Sequence, residues 1–314
     1  MKKYILFLVI LVIFSLMLPS CSINRMAMNM IADALTGEGS SDVFTGDPDP
    51  QLVGDALPFA IKMYEALLSQ NPNHQGLINT TGSMFVMYAN AFVQGPAEML
   101  PLYMFDERQA ALDRAKGLYL RGLEILYRGL ELKYPGFSSA SKDGRLEGFL
   151  ARMKKDDVPA LYWSAAAGFS AYSIDILDFE LGTNLPEWTI MIHRAYELDP
   201  DFNVAALDEF YVIFYASLPE MMGGDFERAE YHFKRALEKT GGNSASAYVS
   251  YAQSICVSAQ DYETFTDYLE MALAIDPDIN VSTRLVNIIA QRRARWLLDN
   301  AWTLFSFLPI PDNF

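Results

Sequence analysis

The residues able to do chemistry are few, and their spacing argues against catalysis. The histidines, His74, His193 and His232, fall on three separate helical stretches. None has a second His, or a Glu–His partner, at helical spacing, so no metal site is indicated. Cys256 sits between Ile255 and Val257 in a helical run and reads as a small core residue rather than a nucleophile. No phosphate-cradling glycine loop, nucleophile elbow or Cys/His couple occurs at recognisable spacing. The carboxylates are numerous but mostly flank helices. No catalytic residues and no cofactor are therefore expected.

Three features remain. Cys21 closes the sequence Leu18-Pro19-Ser20-Cys21, directly after the uncharged, mostly apolar run Tyr4–Leu18 and the basic start Lys2-Lys3. That run is shorter than the roughly 20 residues a membrane span needs. The segment reads as a bacterial lipoprotein signal over residues 1–20 with Cys21 as the lipidated residue, although Pro19 departs from the usual residue at that place. An uncleaved anchor with an incidental Cys is the other reading. With two or more acyl chains the Cys would hold the protein stably at a membrane. Ser22 rather than Asp after the Cys points to the outer membrane.

The second feature is aromatic: Tyr162 and Trp163; Phe210, Tyr211, Phe214 and Tyr215; Tyr248 and Tyr251. Either these fill a core or some line a concave ligand surface. Phe210/Phe214 and Tyr211/Tyr215 are i,i+4 pairs facing different directions, so one pair can be core while the other lines a cavity. The third is basic: Arg292, Arg293 and Arg295 in QRRARW, within a chain of net charge −15. Pairing with the chain's own carboxylates and contact with an anionic ligand are both open. The acidic surface as a whole disfavours nucleic acid and anionic bilayers, which need clustered cations.

The elements that must position these residues are helices. Residues 21–50 read as lipidated Cys and flexible tether, with a short amphipathic stretch near Met26–Leu35. Residues 51–314 read as a helical domain. The clearest unit is Gly223–Lys239, where Phe226, Ala229, Phe233, Ala236 and Leu237 share one face. Its small alanines beside an aromatic fit the second helix of a tetratricopeptide repeat. Helix stops recur at Pro72, Pro135, Pro200, Gly241 and Pro277. Proline cannot continue a helix and disfavours the α conformation in the residue before it, so each stop falls at a fixed point. First helices are expected near 76–92, 159–177, 205–219 and 244–258. A helix over 105–134 should be interrupted near Gly117, Gly122 and Gly129. The 96–101 and 178–186 stretches read as insertions, and 280–307 as a long helix covering the end of the stack. The fold class is thus all-α, an α-α superhelix of about four degenerate repeats with a C-terminal capping helix.

With these pieces in order, the lipobox, the tether, ALPFAIKMYEALLSQNPNHQGL, LYWSAAAGF, GGDFERAEYHFKRALE, SAYVSYAQS and QRRARWLL, the chain resembles the TatT family. These are tetratricopeptide lipoproteins associated with TRAP transporters. The resemblance covers about residues 41–305. It implies a periplasmic, lipid-anchored homotrimer without catalysis, whose protomers carry a pore through the repeat array. It implies docking to the transporter's substrate-binding protein, the P component, and a hydrophobic or organic-acid ligand. It places Cys21 at the family's acylated position. The alternative is an envelope scaffold that grips a peptide or protein on its concave face, with no small ligand.

Overall fold

The computed structural model describes residues 29–30, 32–37, 39 and 42–310. Cys21 and the signal segment expected over residues 1–20 lie outside them. Among the described residues every regular element is helical. Ten helices organise the chain: α1 (Pro50–Gln70), α2 (Gln75–Ala89), α3 (Phe105–Lys133), α4 (Val158–Ile174), α5 (Leu185–Leu198), α6 (Ala206–Ser217), α7 (Phe226–Thr240), α8 (Ala245–Tyr251), α9 (Tyr262–Ala274) and α10 (Arg284–Asp299). Short helical turns fill several connections.

Helix ends follow local chemistry. The Asp49 carboxylate caps α1 by accepting from the Gln51 and Leu52 amides, and Asp225 and Asp261 cap α7 and α9 in the same way. Such caps satisfy amides that the helix itself leaves unpaired. The helices before Pro72, Pro135, Pro200 and Pro277 end within three residues of those prolines, as expected from the steric restriction.

Successive helices pack as hairpins: α1 on α2, α3 between α2 and α4, α5 on α4, α7 on α6, α9 on α8. The first helices also touch one another. α2 meets α4, α6 meets α8, α8 meets α10, and Phe169 of α4 lies edge-on to Phe210 and Phe214 of α6. α10 then returns to the start of the chain. Arg284 donates to the Gly46 carbonyl at 2.8 Å, and Arg293 reaches Glu98, at the end of the helical run that continues α2, at 3.1 Å. The result is an inner circle of α2, α4, α6, α8 and α10 with α3, α5, α7 and α9 outside it. One large core runs from α1 to α6, and a second, centred on Phe265, Leu269, Ala294, Leu297 and Phe305, lies between α8, α9 and α10.

Several expectations are corrected. α3 is one uninterrupted helix of 29 residues. Its glycines serve packing instead: a Cβ on Gly122 would lie 2.9 Å from the Gly82 carbonyl oxygen, so the glycine lets α2 approach. The expected long last helix spans only Arg284–Asp299, flanked by 3-10 turns. The 42–49 stretch is docked against α10 rather than loose, with a helical turn at Asp42–Thr45. Phe226 is 54% exposed, and His232 takes its place on the buried face of α7. The first-helix ranges hold, but two of these helices carry a π-turn, Asn90–Gln94 after α2 and Ala252–Cys256 after α8.

Candidate functional site

The inner circle carries two distinct polar constellations and one aromatic wall. The wall is built on α4 and α6. Tyr162 meets Trp163 edge-on at 5.0 Å and Phe202 at 5.2 Å, with Phe210 6.5 Å away. All four rings are half-buried. Beside them Glu209 accepts from the Ser244 and Ser246 hydroxyls at 2.6 and 2.7 Å. Desolvation pushes both the Tyr162 phenol and the Glu209 carboxyl above their usual ranges. These side chains keep some accessible surface, yet burial disfavours their charged forms.

The second constellation closes the circle. Arg293 on α10 donates from Nη2 to Glu98 and from Nε to the Gln253 amide oxygen at 3.3 Å, and its guanidinium lies 4.9 Å from the centroid of the Trp296 ring. Glu98 accepts from Gln94 at 2.8 Å, and Gln94 accepts from the Tyr119 hydroxyl at 2.6 Å. Gln94 and Gln253 both sit in the π-turns. A π-turn inserts one residue into a helix and re-aims the side chains around it, and such turns concentrate at functional sites. Burial lowers the Arg293 pKa, and Arg108 adds to that effect while Glu98 opposes it.

The third cluster joins α5, α6 and α7. Asp208 is completely buried. Its carboxylate meets His232 Nδ1 at 2.7 Å, Lys239 Nζ at 2.7 Å, the Tyr196 hydroxyl at 3.2 Å and Arg235 Nε at 3.4 Å. The His232 ring is stacked on Tyr211 at 4.6 Å and Tyr215 at 5.7 Å. Tyr211 in turn meets His193 Nδ1 at 3.0 Å, and burial lowers the His193 pKa. Burial and Asp208 push Tyr196 up to about 12. The cluster resembles an Asp–His relay, and the buried Asp208 at its centre ties α5, α6 and α7 together.

The predicted residues therefore separate. Tyr162, Trp163 and Phe210 come together in one aromatic cluster. Tyr211, Phe214 and Tyr215 are core side chains at 2%, 8% and 6% exposure, which corrects their expected place on a cavity surface. Tyr248 and Tyr251 pack away from the wall, against Phe233 and Tyr268 of α7 and α9. Arg293 is committed to the seam, and Arg292 is exposed. Glu98, Glu209 and Asp208 were missed. His232, Arg235 and Lys239, three and then four residues apart, put three basic groups on one helix face. That signal calls for a buried acid but cannot name it.

Cys256 is buried and its thiol is pushed up to about 12. No group of three or more His, Cys, Asp or Glu among the described residues could hold a metal ion, and no described helix is long and apolar enough to cross a membrane. Residues 46–305 match the family model described as the TRAP transporter T-component. An uncharacterized protein of Treponema pallidum (strain Nichols) is 35% identical over 305 residues, covering 92% of this chain and 94% of that one.

Proposed function

The chain belongs to the TRAP transporter T-component family, and on that footing we propose that it is a periplasmic, lipid-anchored accessory protein that holds a ligand inside its helical ring and docks the transporter's substrate-binding component. An accessory part in TRAP transport follows from the family. The rest is the reading proposed here: acylation at Cys21 to a bacterial membrane, the outer one by the residue that follows; assembly as a homotrimer; tetratricopeptide-like repeats; and a hydrophobic or organic-acid ligand. No catalytic step belongs to it.

The observation that carries the ligand reading is the closed inner circle. Tyr162 and Glu209 are partly accessible, yet burial raises the pKa of both. Side chains on an outer surface would not be so desolvated, and side chains in a packed core would not be accessible. Together the two properties support an internal space bounded by the five first helices. Its wall joins apolar rings to a few polar tips, the composition that favours small organic ligands. Burial raises the Glu209 carboxyl above its usual range, which lessens the cost of placing an apolar or acidic ligand beside it.

The docking half is tested by calorimetry with the full chain in detergent and the substrate-binding component of the same transport system. A saturable complex of fixed stoichiometry is expected. Absence of any heat or co-elution at micromolar concentrations would remove the docking claim.

A further inference from the structure

Beside the seam, α10 and Met99 bound an open cleft of about 490 Å³. Met99, Ile288 and Trp296 give it an apolar floor, and Arg292, Arg295 and Asp299 stand along it. Other arginines of the same helix are committed: Arg284 to Asp278 at 2.7 Å and Arg293 to Glu98. Arg292 and Arg295 have no ion pair or hydrogen bond among the described residues, although the chain carries net charge −15. Asp299 is the one acid on the cleft wall and pairs with neither. Arg108, near enough to act on Arg293, adds positive charge at the same seam. The loop that follows Met99 exposes Leu102 and Tyr103 at 59% and 81%, and Phe105 at the start of α3 is 66% exposed.

We propose that this cleft docks an acidic segment of a partner protein, one with carboxylates on either side of an apolar side chain. The apolar group would lie on Met99, Ile288 and Trp296, and the carboxylates on Arg292 and Arg295. Arginine, methionine and aromatic residues are the types enriched at protein interfaces. A guanidinium offers a planar, two-pronged match to a carboxylate. The cleft is too open to enclose most of a small molecule, as ligand sites do, so a chain segment fits it better. Identifying the partner as the substrate-binding component rests on the function proposed above.

The test compares the full chain with its Arg292→Glu/Arg295→Glu variant. Both sites are exposed, so unchanged thermal melting will certify folding. Two probes are used: the substrate-binding component, by calorimetry, and a fluorescent peptide of alternating Glu and Leu, by anisotropy. Charge reversal is expected to weaken whichever probe binds by at least about tenfold and to flatten its salt dependence. An Arg292→Lys/Arg295→Lys variant should retain most of the binding. If the peptide binds the parent chain and the component does not, the cleft stands and the docking partner proposed above falls. If neither probe binds, or if the reversed variant binds within twofold of the parent, the cleft is not a docking site.

Discussion

Asp208→Ala is expected to destabilise the chain by about 3–5 kcal/mol, the usual result of removing one partner from a buried ionic cluster. The carboxylate is the common partner of four groups on two neighbouring helices. Without it Arg235, His232 and the Tyr196 hydroxyl lose their shared partner. Lys239 keeps Asp201 at 2.9 Å and the Pro200 carbonyl at 2.5 Å, so the lower half of that range is expected. Asp208→Asn, which keeps the shape and one acceptor, should cost less. Urea melts followed by circular dichroism measure both. The pH dependence has a definite sign. Burial alone would raise the Asp208 pKa, but the bonds from His232 and Lys239 outweigh it and hold the group below its ordinary value. A depressed carboxyl stabilises the fold above its unfolded pKa of about 3.9, and that contribution is lost as pH falls through the folded value. The gap between wild type and Asp208→Ala should therefore be full at pH 6 and shrink below about pH 4. A gap independent of pH would show that the carboxylate's charge is not the cause.

Gly168→Ala carries the second large effect. A Cβ at this position would lie 2.3 Å from Trp188 Cε2 and 2.4 Å from Cδ2. The indole cannot retreat easily. It is 1% exposed, donates to the Tyr127 hydroxyl at 3.2 Å and packs edge-on against Phe169. Alanine gains about 1 kcal/mol of helix propensity over glycine, whereas overpacking of this kind typically costs about 1–3 kcal/mol and sometimes more. At a contact this short the steric term wins, and a net loss of about 2 kcal/mol, or roughly 5 °C in Tm, is expected. Trp188→Leu costs stability alone but should relieve Gly168→Ala in the double variant, giving a coupling of opposite sign. Gly117→Ala, in the same kind of helix with nothing within 4 Å of its Cβ, should instead stabilise.

What could be read in the sequence follows from the range of the interactions. The helix stops were legible because proline acts on its immediate neighbours. The repeat-like pattern was legible because side chains three and four apart share a face. The glycines of α3 misled. Their meaning depends on a second helix, and in isolation a glycine reads as a breaker. The closure of the circle could not be read, because Glu98 and Arg293 are 195 residues apart and each looks like an ordinary surface charge. The π-turns were equally hidden, since NAFVQ and AQSIC differ in nothing obvious from α-helical sequence. Among the aromatics, the i,i+4 spacing separated the two faces of α6 but not which face is core. Tyr211 and Tyr215 are held by His232, which lies on another helix.

The proposed ligand binding requires an internal space behind Tyr162. Its most direct measurement is thiol labelling of Tyr162→Cys in the full chain. In a Cys21→Ser background, Cys256, buried and with a thiol raised to about 12, is silent, and Tyr103→Cys on the exposed loop is the open control. A small methanethiosulfonate reagent should label Tyr162→Cys in the folded protein, while a polyethylene-glycol maleimide too bulky to enter should not; both should label Tyr103→Cys. If neither reagent labels Tyr162→Cys, the interior is a plugged core, and if the bulky one does, the residue is on the outer surface. Either result contradicts a ligand space inside the ring.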